Sequence, residues 1–220
     1  MKKITVITGH YGSGKTNLSV NLALDCAKTG EQVTVVDLDI VNPYFRTTDF
    51  AELFERHGIT LAATAYANTG LDIPAVTFDL ERMAYEPGYL IVDIGGDDAG
   101  AAALGRYSAA LNEYAPDKLD MLYVINRYRY AVDNADEEAA LLRDIEAASR
   151  MRCTSIVNNS NLGAETTAKL IGSSLPYVER VSELTGLPVV FNVCRSDISI
   201  DVKNRLSAEI YVKPIWERGK

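Results

Sequence analysis

The sequence predicts a doubly wound α/β domain, a mostly parallel sheet of about seven strands with helices on both faces. Three observations predict it. Short apolar runs rich in β-branched residues recur along the 220 residues. They are uniformly apolar, as strands buried on both faces are. Segments with apolar residues three or four apart lie between them, the mark of helices with one buried face. Strand and helix then alternate throughout, which implies parallel pairing with helical crossovers. No linker, repeat or composition break interrupts the series, so residues 1–220 read as a single domain.

In chain order, residues 3–8 are a buried strand and 15–28 a helix, with Leu18, Leu22 and Cys26 on one face and Gly30 closing it. A second strand covers 32–38, and a helix-like stretch runs from about Thr48 to Arg56. Residues 59–64 suit a short strand, and 66–75 read as a surface loop because they hold Asn68, Gly70, Asp72 and Pro74 without a period. The run 89–94 is a strand entered through Pro87-Gly88, followed by a small-residue helix near 97–113. A strand at 121–126, a helix at 135–149 and a strand at 153–158 come next. A helical region then runs to Thr185, where Pro176 suggests a restart or kink and Gly186 a stop, and 188–194 is the final strand.

Composition excludes several classes of function. Net charge is −8, so a nucleic-acid surface is not expected. No run of about 18 apolar residues offers a membrane span. Met1-Lys2-Lys3 runs straight into a strand, without the apolar core of a signal peptide, so a cytoplasmic location is expected. Cys26, Cys153 and Cys194 are far apart and form no Cys-x-x-Cys or Cys/His cluster, which favours buried free thiols over metal ligands or disulfides.

Residues 9–16 are Gly9-His10-Tyr11-Gly12-Ser13-Gly14-Lys15-Thr16 and fit G-x-x-x-x-G-K-[ST] at every fixed position, between a strand and a helix. Glycines let such a loop turn its N–H groups inward at phosphate oxygens, and the helix N-terminus adds partial positive charge. Lys15 can reach the β- and γ-phosphates, and the Thr16 hydroxyl can ligate Mg²⁺. As a plain glycine-rich turn the segment would need no ligand, but the full motif in this context favours a nucleotide.

Two strands end in carboxylates: Asp37 and Asp39 after the second, Asp93 after Tyr89-Leu90-Ile91-Val92. Ligands of open parallel sheets lie beyond the carboxyl ends of the strands, which places these groups on the phosphate-loop side. There Asp93 and Asp39 can serve the magnesium shell, and Asp39 can orient a water for attack on phosphate. Asp37 suits a structural role, and Asp97 and Asp98 suit the start of a helix. Gly96 completes Asp-x-x-Gly, where a backbone N–H can approach the γ-phosphate.

On these segments, with Ile156-Val157-Asn158 and Leu187-Pro188-Val189-Val190, the chain resembles the ParA/MinD-type branch of P-loop ATPases, the CobQ/CobB/MinD/ParA nucleotide-binding domain. The resemblance covers most of the chain. It implies that Asp39 positions the attacking water, that Asp93 is the Walker B aspartate, that Asn158 contacts the adenine amino group, and that a nucleotide-gated homodimer forms. His10 stands where the branch carries a signature lysine, and Tyr11 replaces a glycine. The expectation for His10 is a partial replacement of that lysine by imidazolium.

Asn158-Asn159-Ser160-Asn161 lacks the lysine and aspartate of the guanine-reading Asn-Lys-x-Asp, so ATP is favoured. The leading expectation is a Mg-dependent ATPase acting as a switch or accessory factor for a protein partner. Two alternatives stay open: an ATP-dependent small-molecule ligase of the dethiobiotin-synthetase or cobyrinate-synthase type, with Tyr66, Asn68 and Asp72 of loop 66–75 lining its substrate site, and a sensor that binds nucleotide without turnover.

Overall fold

A computed structural model describes residues 1–39, 47–63, 79–96, 98–114, 117–129 and 134–212. The strands are β1 (Ile4–Thr8), β2 (Val33–Asp37), β3 (Ile59–Ala63), β4 (Tyr89–Asp93), β5 (Leu119–Ile125), β6 (Ser155–Asn158), β7 (Val189–Arg195) and β8 (Arg205–Ala208). They form one sheet in the order β3-β2-β4-β1-β5-β6-β7-β8, and every neighbouring pair is parallel. The chain winds outward from β1 in both directions, so the segments leaving β1, β2, β4, β5 and β6 share one edge of the sheet.

Alternation along each strand divides the core. Ile4, Val6, Leu90, Val92, Met121 and Tyr123 face one way, where α4 (Asp98–Gly105), α6 (Ala135–Ser149) and α7 (Ala168–Thr185) pack in sequence, with α3 (Leu80–Tyr85) and α5 (Ser108–Asn112) beside them. Ile7, Val33, Val35, Ile91, Leu122 and Val124 face the other way, against Leu18 and Leu22 of α1 (Lys15–Ala27) and Phe54 of α2 (Ala51–Arg56). Central strands are therefore apolar on both faces, which is why they read as uninterrupted runs.

Four departures from the sequence reading have local causes. The sheet has eight strands among the described residues, because β8 is a four-residue edge strand with Arg205 and Ser207 exposed. The single helix near 97–113 is two: α4 stops at Gly105, where a Cβ would stand 3.0 Å from the Ala148 carbonyl, and Ser108 Oγ donates back to Gly105 O at 2.9 Å. The short α3, with Leu80, Met83 and Ala84 turned to the core, has no counterpart among the helices expected from the sequence. Pro176 does not interrupt α7: it is exposed, and Gly172, whose carbonyl it leaves without its helical donor, is itself partly exposed. Loop 66–75 and Asp97 lie outside the described residues.

Helix ends follow their caps. Asn134 accepts from the Glu137 N–H at 2.9 Å to start α6, beside three acidic residues of the first turn, Asp136, Glu137 and Glu138. Thr167 caps α7, and Gly186 ends it in the left-handed conformation at φ 73°. All three cysteines are buried and unbridged, as expected, and burial pushes each thiol up, farthest at Cys153.

Candidate nucleotide site

Residues 9–16 leave β1 at the centre of the sheet and enter α1 at Lys15. Gly14 precedes the helix at φ 88°, and a Cβ there would stand 2.3 Å from Asn159 Nδ2. Only glycine fits both the conformation and the approach. Gly96, on the turn after β4, meets the same loop: a Cβ would lie 2.6 Å from Tyr11 N and 2.7 Å from Lys15 Nζ. Gly96 thus touches the phosphate loop directly. Lys15 is buried and donates from Nζ to the His10 carbonyl at 3.0 Å, which holds the amine inside the loop.

The strand-end carboxylates come together as the topology requires. Asp37 and Asp93 are register partners across β2 and β4, and both are buried. Asp37 is structural: Oδ1 accepts from the Asp39 N–H at 3.0 Å and Oδ2 from the Thr48 N–H at 3.3 Å, fixing the chain's exit from β2. Asp93 is different. Its Oδ1 is buried without a hydrogen-bond partner. Burial first, then the Asp37 carboxylate, push its pKa up to about 7, against the pull of Lys15 and of the Thr16 and Ser19 hydroxyls. An orphaned buried carboxylate oxygen beside a threonine hydroxyl is a donor set that fits a hard cation. No group of three or more His, Cys, Asp or Glu side chains converges among the described residues, so such an ion would draw on Thr16, phosphate and water as well.

A cavity of about 390 Å³ opens over the loop, large enough for a small ligand. Tyr11, Gly12, Gly14, Lys15, Thr16, Asp39 and Gly96 line it, so most of the sequence-predicted residues meet there. Ser13 lies beneath, fully buried with its hydroxyl unpartnered.

Two expected residues are turned elsewhere. His10 does not face outward as a signature-lysine replacement would. It is 2 % exposed; Nδ1 lies 2.9 Å from Tyr11 O, and the Asn126 N–H approaches Nε2 at 3.5 Å. Nδ1 is thus placed to donate to a carbonyl and Nε2 to accept from a backbone N–H. Asn158 is also buried. Its Nδ2 donates to Ser174 Oγ at 3.0 Å and Asn192 Oδ1 at 2.9 Å, and its Oδ1 accepts from the Ser160 N–H at 3.1 Å. It builds the turn after β6 and does not line the cavity.

Sequence reasoning passed over residues that do line it. Asn159 donates from Nδ2 to the Ser13 carbonyl at 2.7 Å, tying the turn after β6 to the phosphate loop. Asn126 links the ends of β5 and β6, accepting from the N–H groups of Tyr128 at 3.1 Å and Asn161 at 3.2 Å. Asn17 and Asn21 of α1 hold the segment after β8 like a strand partner. Asn17 Oδ1 accepts from the N–H groups of Tyr211 and Val212, and Asn21 accepts from and donates to Glu209. Glu209, Ile210 and Val212 form a cavity wall as a result. The available signal was position, since Asn126 and Asn159 both follow carboxyl ends of strands.

A phosphate loop between a central parallel strand and a helix, with a buried strand-end aspartate beside it, defines a P-loop nucleotide-binding domain. The chain belongs to the CobQ/CobB/MinD/ParA nucleotide-binding domain family, whose model matches residues 4–186. Similar solved structures include the cell division protein FtsY from Thermotoga maritima, with a TM-score of 0.57 and 21% identity over 93% of this chain and 63% of that one. FtsY from Mycoplasma mycoides has a TM-score of 0.58 and 19% identity, over 86% and 59%. The 54 kDa signal recognition particle protein from Aeropyrum pernix, in complex with GDP, has a TM-score of 0.52 and 17% identity, over 86% and 40%. These likenesses bear on the fold, and the chain spans less than two thirds of the length of each. No curated protein matches the sequence significantly. No described helix is long and apolar enough to cross a membrane.

Proposed function

We propose that this protein binds ATP with magnesium and works as a nucleotide-gated ATPase switch or accessory factor for a protein partner, with ATP-dependent self-association as one form of that switch. The observation that carries the reading is the meeting of Lys15, Thr16 and Asp39 at one cavity, with Asp93 buried beside Thr16. Lys15 exchanges its His10 carbonyl for a phosphate oxygen, a charge-assisted bond that is the stronger of the two. Thr16, Asp93 and Asp39 are the residues that would hold magnesium, which neutralises phosphate charge when bound. Asp39 stands half-buried at the cavity wall, where a carboxylate can orient a water and accept its proton. ATP is favoured over GTP because Asn158-Asn159-Ser160-Asn161 in the turn after β6 holds no carboxylate to accept the paired N–H groups of guanine.

Titration calorimetry with Mg²⁺ and a non-hydrolysable ATP analogue tests this. Wild type is expected to bind the ATP analogue more tightly than its GTP counterpart. Lys15→Ala loses binding by at least tenfold while remaining folded, and Asp39→Ala binds but hydrolyses ATP more slowly. Equal affinity of a folded Lys15→Ala variant would sink the site, and tighter GTP binding would reverse the choice of base.

A further inference from the structure

Three cations line the cavity among the described residues, and two have clear duties. Lys15 is turned into the phosphate loop. Arg195 is spent on Asp197 and on the carbonyls of Gly163 and Ala164, each at 3.0 Å, and so pins the turn that precedes α7. Arg129 has no such duty. It is exposed, and its side chain makes no hydrogen bond or ion pair with any described residue.

Its position is specific nonetheless. Arg129 Cβ stands 3.9 Å from where Gly12 would carry a Cβ, and Nη2 stands 3.6 Å from the same point on Gly163. The side chain therefore runs from the phosphate loop to the turn after β6, with a bare glycine under each end. The guanidinium ends on the Asn159–Gly163 side of the cavity, beyond the stem that covers Gly12.

We propose that Arg129 is a base-contacting residue of this site, its guanidinium plane stacked on the purine ring. The proposal rests on the nucleotide-binding reading above. The amides at that end of the cavity are already committed: Asn159 to Ser13 O at 2.7 Å, Asn161 to Asn159 O at 2.7 Å and the Gly163 N–H at 3.0 Å, and Asn126 to Asn161 and Tyr128. With these amides tied to the loop and to one another, the base is held by its faces more than by its edge. A planar, weakly hydrated guanidinium is the side chain suited to that, because it stacks on π systems while keeping its charge. Arg129 presents a guanidinium plane without a partner among the described residues at that end of the cavity, and glycine at 163 leaves room for the ring.

Calorimetry with three probes separates a base contact from a phosphate contact. Mg²⁺ with ADP, with a non-hydrolysable ATP analogue and with inorganic tripolyphosphate is titrated into wild type, Arg129→Ala and Arg129→Lys. Arg129→Ala is expected to weaken ADP and the ATP analogue by the same factor, about fivefold or more, and to leave tripolyphosphate within about twofold. Arg129→Lys, which keeps the charge without the plane, recovers only a minor part. A loss shared by tripolyphosphate, full recovery with lysine, or unchanged ADP and ATP affinities in a folded Arg129→Ala variant overturns the proposal and leaves nucleotide binding standing. A wild type that binds none of the three probes overturns both.

Discussion

Asp93→Asn should stabilise the nucleotide-free protein while damaging its site. Asp93 is buried against the Asp37 carboxylate with Oδ1 unpartnered, and its pKa stands at about 7 against an ordinary 3.8. A rise of roughly three units, at 1.36 kcal/mol each, sets the cost of ionised Asp93 to the fold at about 4 kcal/mol above pH 7. Asparagine removes the charge but leaves an amide to be satisfied, so about half of this, about 2 kcal/mol, is expected to be recovered. For a chain of this size that raises Tm by about 4–8 °C. The pH dependence has a definite sign. Between about pH 4 and 7 the folded protein holds a proton on Asp93 that the unfolded chain has lost, so wild-type stability falls as pH rises through that window. Asp93→Asn lacks this component. The variant is therefore the more stable above pH 7, the two cross at roughly pH 5–6, and wild type is the more stable toward pH 4. Urea or thermal unfolding from pH 5 to 8, without nucleotide or divalent cation, measures it. A variant no more stable than wild type at pH 8, or a gap independent of pH, refutes the reasoning. The same substitution should weaken Mg²⁺-dependent binding, the usual exchange of stability for function at a strained site.

Two further predictions concern the supports of the site. Glu138 is buried on α6 and accepts from the Tyr123 hydroxyl at 2.7 Å and the Tyr177 hydroxyl at 3.1 Å. Glu138→Ala strands both hydroxyls and should cost about 3 kcal/mol in urea unfolding, against about 1.5 kcal/mol for Tyr123→Phe; equal losses would show that the pair does not act as a network. Asn159→Ala releases the Ser13 carbonyl from the turn after β6. It should cost about 1–2 kcal/mol of stability and about tenfold in nucleotide affinity, and an unchanged affinity would mean that the phosphate loop holds its shape without that tie.

The sheet's centre was legible because β1, β2 and β4 are buried on both faces and so read as unbroken apolar runs. The phosphate loop was legible because its chemistry is local: glycines, lysine and threonine act within eight consecutive residues. Asp39 and Asp93 followed from the rule that strand ends of a parallel sheet share one edge. That rule needs no tertiary detail beyond the alternation of elements.

Side-chain direction and long-range partners needed the fold. A strand's residues alternate faces, so one position separates Asn158, turned to Ser174 and Asn192, from Asn159, turned to the phosphate loop. His10 sits where an outward cation was expected, yet the chain brings Asn126 of β5's exit against its ring. The strap at Glu209–Val212 meets Asn17 and Asn21 almost the whole chain away. Arg129 gains its place because β5 lies between β1 and β6, so that the segments after the three strands bring Gly12, Arg129 and Gly163 to one cavity. The sequence by itself determined the class of fold, the phosphate loop and the carboxylate edge, because local periodicity and motif chemistry act over a few residues. Tertiary structure decided which amides, which cation and which terminal segment border the ligand, because those contacts depend on the lateral order of strands, which residue types within each strand leave unspecified.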